Sequence, residues 1–270
     1  MIAKLFRKLV AAILVLSLVA TAVAWTFSLT LLDSANLDKT LRQSGVSAAI
    51  VDAIALSVPD TYKVTLRKTI TPQIVQNQLS AVVPQVVTHF TTGGEVSVDL
   101  RDIGLSLLAA QPGTVAGQLP DLFTKPQKLD FGGADAQITA VADIIQKSRF
   151  IAPIVALLSL ILLFAVSGHH RFKTLAKSFI AAAVSTAVTA CLVWLPVWLS
   201  SVLLTVGGSG KLIGPLAKAA TLALALVQSR WLLYAAGAYL GVGVIFLIMH
   251  PFSQAARKLF GRHGKKGHQK

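Results

Sequence analysis

Four long apolar runs, each without an ionisable residue in its middle, limit what this chain can fold into. A helix needs roughly 20 apolar residues to cross the hydrocarbon core of a bilayer. Segment one, 9–32, reads LVAAILVLSLVATAVAWTFSLTLL, and segment two, 150–167, reads FIAPIVALLSLILLFAVS. Segment three covers 178–204, where Pro196 predicts a kink. Segment four covers 230–249, with Arg230 at its mouth. A soluble domain has about one quarter of its residues charged; here the share is 13%, against 54% apolar. The expected fold class is a mainly α membrane protein, with four transmembrane helices and a mostly helical extracytoplasmic domain that includes a short β pair.

The formal net charge of +14 invites a nucleic-acid role, but the location of the charge argues against one. All 11 acidic residues lie between Asp33 and Asp143, and region 33–149 holds 10 basic residues, so it is close to neutral. Twelve basic residues fall in three other places: the N-terminus 1–8, the loop 168–177 and the tail 250–270. None of these three contains an acid. Short cytoplasmic segments are rich in Lys and Arg, and four crossings put all three on one side. The N- and C-termini are therefore expected in the cytoplasm, with 33–149 and the loop 205–229 outside. Trp25, Trp194, Trp198, Trp231 and Tyr234 lie near the expected boundaries, as interfacial anchors do. No nucleic-acid-binding fold accompanies the charge.

The tail has its own pattern. PFSQAARKLFGR puts Phe252, Ala256, Leu259 and Phe260 on one helical face. Arg257, Lys258, Arg262, Lys265 and Lys266 are the expected lipid-facing basic residues. They would sit against anionic lipid of the inner leaflet, each worth about 1 kcal/mol. Segment one also carries a small-x-small site, Ala22-Val23-Ala24, of the kind a signal peptidase cuts. Its apolar run continues to Leu32, longer than a cleavable core, so an uncleaved signal anchor is expected.

Within 33–149, VSAAIVDAIALS puts Val46, Ala49, Ile50, Ala53 and Ile54 on one stripe, and Gly45 suits the end of a helix before it. TPQIVQNQLSAVVPQVVTHF predicts a helix capped by Thr71, with Pro72 in its first turn and Pro84 bending it. Gly93-Gly94 ends that helix. EVSVDLRD alternates Val96, Val98 and Leu100 with polar residues, which predicts a strand, and QKLDF at 127–131 is its candidate partner. Asp135 is the expected cap of a helix carrying Ile138, Val141, Ala142 and Ile145, which can continue into segment two past Pro153. Region 205–229 can either lie on the outer membrane surface or extend segment four outward.

The stretch ITPQIVQNQLSAVVPQVVTHFTTGGEVSVDLRDI resembles the outside region of uncharacterised bacterial four-helix membrane proteins with an extracytoplasmic domain between helices 1 and 2. In those, a Thr-Pro-capped helix leads through a Gly turn into an alternating strand. The order of one crossing, an outside domain and three crossings is also similar to FtsX-like permeases. That likeness implies work with a cytoplasmic ATPase, contacted by the loop between crossings two and three. Here that loop is only GHHRFKTLAK.

No residue pattern predicts a reaction. G-x-S-x-G, H-E-x-x-H and Gly-rich phosphate loops do not occur in the sequence, so no enzyme, cofactor or metal is expected. His169-His170, His263 and His268 lie among cations, and His89 stands alone near a helix end. Asp99 and Asp102, with Asp130 and Asp135, lack a calcium-loop pattern. The one cysteine, Cys191, lies in segment three, so no disulfide holds the outer region. Gly237 and Gly241 form a G-x-x-x-G pair for helix packing, within the bundle or between copies. The expected function is non-catalytic: an inner-membrane protein whose outer domain binds a protein partner or envelope component. The alternative is the membrane subunit of an ATPase-coupled transporter or mechanotransmission complex.

Overall fold

The computed structural model describes residues 2–43, 45–57, 63, 67–99, 101–102, 104–105, 125–128, 134–195 and 213–263. Over 213–223 and 253–263 the description is of the backbone alone. These residues are mainly helical. Four helices are long and apolar enough to cross a membrane, over Lys4–Leu31, Ala136–Val166, Arg171–Leu192 and Leu224–Phe252.

The chain divides into two compact units. Unit 1 comprises Met1–Thr26, Lys147–Cys191 and Arg230–Lys270; unit 2 comprises Phe27–Gln146 and Leu192–Ser229. Helix α1, Ile2–Leu31, runs through segment one. In unit 2 follow α2 (Ser34–Gln43), α3 (Val46–Ser57) and α4 (Pro72–Thr92). A two-stranded antiparallel sheet joins β1 (Ser97–Val98) to β2 (Gln127–Lys128), pairing Ser97 with Lys128 and Val98 with Gln127. Helix α5, Ala134–Val166, then continues without a break into segment two. A three-residue 3-10 turn, Gly168–His170, leads directly into α6, Arg171–Leu192. Helix α7 spans Ile213–His263.

Local chemistry accounts for the boundaries in unit 2. Asp33 Oδ1 accepts from Asn36 N at 3.0 Å and starts α2. Gly45, at φ +71°, makes the left-handed turn between α2 and α3. Thr71 Oγ1 accepts from Ile74 N, and Pro72 occupies the first helical position of α4. Gly93, at φ +77°, ends it. Pro84 and Pro153 lie inside α4 and α5, and neither stops its helix.

Several elements differ from expectation in extent. Helix α5 starts at Ala134, so Asp135 lies inside its first turn and not before it. Most of the expected 168–177 loop is the start of α6, because the reversal needs only the turn at Gly168, φ +49°. Residues 213–229 are helical and continuous with segment four, which selects the helical extension for that part of the loop. The same helix runs through 250–263, so the amphipathic tail prolongs α7.

The core of unit 2 forms where α4 packs against α2, α3 and β1. Val75, Gln76 and Val83 are the buried residues of α4. On α3 the buried line is Ser47, Val51 and Ala55, beside Val46. In unit 1, Val10 and Leu14 of α1 meet Ala156 and Leu163 of α5 and Leu175 of α6, with Phe246 of α7 packed against them. An aromatic row, Phe164, Phe172, Phe246, Phe179 and Tyr239, ties α5, α6 and α7 with neighbouring ring centroids 5.6–6.4 Å apart.

Candidate functional site

Two groupings of polar side chains stand out, one in each unit. The first, in unit 2, centres on Asp38. Ser80 donates to its Oδ1 at 2.7 Å, Arg42 Nε donates to its Oδ2 at 2.7 Å, and Gln76 Nε2 reaches Oδ1 at 3.4 Å. Arg42 also donates to Ser80 Oγ at 2.8 Å, and Ser47 donates to Gln76 Oε1 at 2.6 Å. Burial raises the Asp38 carboxyl, but hydrogen bonds from Ser80, Arg42 and Gln76, with the Arg42 charge, outweigh it and hold the pKa below the ordinary value. Through one carboxylate, a guanidinium, an amide and two hydroxyls, the grouping joins α2, α3 and α4.

The sheet carries exposed ion pairs. Glu95 meets Lys128 Nζ at 2.7 Å, and this bond and charge lower the Glu95 pKa. Arg101 Nε bonds both Asp99 oxygens at 2.9 and 3.0 Å. These bonds and one from the Arg101 main chain hold Asp99 at about 2. A carboxylate so engaged is spoken for by its own neighbour. Ser97 N donates to Gln85 Oε1 at 3.1 Å and fastens the sheet to α4. His89 Nδ1 bonds the Gly94 carbonyl across the end of α4, and its ring stands edge-on to Phe90. Among the described residues, no three His, Cys, Asp or Glu are placed to hold a metal ion. Asp130 lies outside the described residues, as does the Asp135 side chain.

The second grouping is the cationic end of unit 1. The cluster of Val10, Leu14, Leu163 and Leu175 brings the start of α1, the end of α5 and the start of α6 together. Lys4, Arg7, Lys8, Arg171, Lys173 and Lys177 therefore belong to one end of this unit. Every Asp and Glu of the chain falls between 33 and 143, outside unit 1, so no carboxylate side chain within it can pair with them. The Arg171 guanidinium lies over the Phe164 ring, 4.5 Å from its centroid, and 5.4 Å from that of Phe172. Arg171 Nε and Ser167 Oγ are buried without a hydrogen-bond partner.

Within the chain, the expected helix-packing glycines face open space, whereas Gly243 of the same helix is in close contact. A Cβ added at Gly237 or Gly241 meets nothing within 4 Å. At Gly243 it would lie 3.0 Å from Ile180 Cγ1 and 3.3 Å from both Ala176 O and Ile180 N. Gly243 is thus where α7 approaches α6 most closely among these three, one turn from the bond between Tyr239 Oη and the Leu18 carbonyl. Sequence spacing singles out the G-x-x-x-G pair, whereas the contact depends on which face of α7 points inward. Arg257, Lys258 and Arg262 fall on the last turns of α7, but their side chains, and all of Lys265 and Lys266, lie outside the described residues. Trp25, Trp194, Trp231 and Tyr234 are exposed, and Trp198 lies outside the described residues. Cys191 is a free, exposed thiol.

No protein-family model matches the chain, and searches of curated proteins and of solved structures return no match.

Proposed function

We propose that the chain is a non-catalytic, multi-pass protein of the bacterial inner membrane, with both termini in the cytoplasm. Its unit 2 faces outward and binds a protein partner or envelope component. The carrying observation is the cationic end of unit 1. The first basic group, at the start of α1, and the second, at the start of α6, meet at one end of an acid-free apolar unit. Retention of Lys and Arg on the cytoplasmic side orients such a unit, and anionic lipid of the inner leaflet complements it. On this orientation the uncleaved α1 is a signal anchor, and the basic tail, which prolongs α7, emerges on the same side.

Support for partner binding comes from the part of α5 in unit 2. Its Ile138, Val141 and Ile144 are exposed, on a helix of 33 residues where about 20 suffice to cross a bilayer. The exposed Gly237–Gly241 face of α7 is where two copies would meet. One observation favours the alternative, a membrane subunit driven by a separate ATPase: α5 and α7 are each unbroken where the chain passes between the units.

The test is crosslinking in native membranes followed by mild solubilisation and mass spectrometry. Crosslinks from 33–146 to outer-face proteins or cell-wall material are expected. Crosslinks from 168–177 to an ATPase would favour the alternative, and substrate turnover or transport by the purified chain alone would sink both.

A further inference from the structure

We propose that the turn between α5 and α6 holds the phosphate of one anionic phospholipid, through Arg171 and Ser167, as a discrete site distinct from diffuse attraction to the leaflet. The proposal rests on the cytoplasmic placement of this turn argued above. Ser167 is 3% exposed, and its hydroxyl has no hydrogen-bond partner. Four residues on, Arg171 Nε is also buried and unmatched. Buried polar atoms are nearly always paired, and two orphans in one turn call for an explanation. Both are donor groups, one belongs to a permanent cation, and unit 1 supplies no carboxylate side chain. The complementary group is an oxygen anion from outside the chain.

The guanidinium is already positioned. Stacking over Phe164 and against Phe172 restricts its rotamers, which lowers the ordering cost of binding. Its planar fork suits phosphate oxygens better than an ammonium does. The neighbouring surface favours a lipid over a soluble phosphate. On the same face of α5, Leu157 (58% exposed), Ile161 (59%) and Phe164 (40%) lead toward Ser167. Acyl chains laid along that apolar line would bring a headgroup to the turn. Basic clefts between membrane helices on the cytoplasmic side recognise anionic headgroups in this manner.

The test is native mass spectrometry of the purified full-length chain in non-ionic detergent, titrated with phosphatidylglycerol or phosphatidylcholine. Arg171→Gln and Ser167→Ala are compared with Lys173→Gln, which removes one charge from an exposed neighbour. Phosphatidylglycerol is expected to bind the wild-type chain as one discrete adduct, tighter than phosphatidylcholine. Arg171→Gln should weaken it about tenfold, Ser167→Ala about threefold, and Lys173→Gln less than about twofold. Equal losses in Arg171→Gln and Lys173→Gln would reduce the effect to diffuse charge and overturn the site. So would displacement of the lipid by millimolar inorganic phosphate, which would make the ligand a soluble anion, or tighter binding of a poly-glutamate peptide, which would make it an acidic protein. If Arg171→Gln does not fold, the comparison of Ser167→Ala with Lys173→Gln decides. Orientation is checked separately, by labelling Lys173→Cys in a Cys191→Ala chain in intact cells. Labelling from outside would refute the cytoplasmic placement, whereas the detergent titration does not depend on orientation.

Discussion

Tyr239 of α7 donates its phenolic hydrogen to the main-chain carbonyl of Leu18 in α1, 2.8 Å away and 221 residues apart in sequence. Leu18 also packs against the Val10–Leu14 cluster, and the Tyr239 ring faces Phe179 edge-on at 6.4 Å. One side chain thus joins three helices. Interhelical hydrogen bonds in membrane proteins average about 0.6 kcal/mol. Tyr239→Phe keeps the ring and removes the bond, so it should cost about that much. Tyr239→Ala also removes the half-buried ring and its contact with Phe179, so it should cost clearly more than Tyr239→Phe. Thermal unfolding in detergent, followed by circular dichroism, would rank the two. Equal losses would mean that the hydroxyl contributes nothing.

The glycines of α7 should separate by face. Gly243→Ala forces a Cβ against backbone atoms Ala176 O and Ile180 N, both at 3.3 Å, which cannot rotate away. Overpacking of this kind costs about 1–3 kcal/mol. Gly237→Ala and Gly241→Ala meet open space, and Ala is the better helix former by up to about 1 kcal/mol. They should leave stability unchanged or raise it. Sedimentation in detergent then tests their other role: if two copies meet through this face, the Gly241→Ala chain loses the dimer while Gly243→Ala keeps it.

In unit 2 the buried bond between Ser47 and Gln76 predicts non-additivity. Ser47→Ala leaves Gln76 Oε1 without this 2.6 Å donor, in a position shielded from water. The cost is about 1–3 kcal/mol. Gln76→Leu alone strands the Ser47 hydroxyl and should cost a similar amount. Together the two changes replace a polar pair with an apolar one, and the sum should fall well short of the separate losses. Hydrogen exchange over 34–92 in the full chain measures this locally. Strict additivity would show that the two residues do not interact.

This bond also marks where sequence reading stops. The four long apolar helices were visible because apolar runs of that length have few other uses. The Thr71–Pro72 start and Gly93 end of α4 were visible because each residue answers a backbone requirement by itself. Alternation in EVSVDLRD pointed to a strand there, and two residues of it pair with the first two of QKLDF. Helix α3 shows the limit. Its apolar stripe points to Val46, Ala49 and Ile50, yet the side facing α4 also takes Ser47, with Val51 and Ala55. A serine reads as surface until Gln76 is known to lie opposite, and Gln76 reads as surface for the same reason. The stacking of Arg171 on Phe164 was hidden likewise, because the turn between them was expected to be a ten-residue loop and is in fact three residues long.

Asp38 gives unit 2 a predictable acid response. Its folded pKa lies below the ordinary carboxylate value, because the bonds from Ser80, Arg42 and Gln76 favour the charged form more than burial opposes it. A group depressed on folding stabilises the fold at pH above its unfolded pKa, about 3.9 for Asp. That contribution falls as pH drops below this value and is gone once pH is below the folded pKa. Protection of α2, α3 and α4 against hydrogen exchange should therefore hold from neutral pH to about pH 4 and weaken below it. Asp38→Asn keeps the shape but removes the charge that Arg42 and Ser80 answer. It should lower protection at neutral pH and flatten the acid dependence of these three helices. Asp99, held at about 2 by Arg101 on the exposed sheet, serves as the control. Asp99→Asn should leave the exchange of α2–α4 unaltered, since its partner is its own neighbour and not a second helix. An unchanged acid profile in Asp38→Asn would assign the response to other carboxylates.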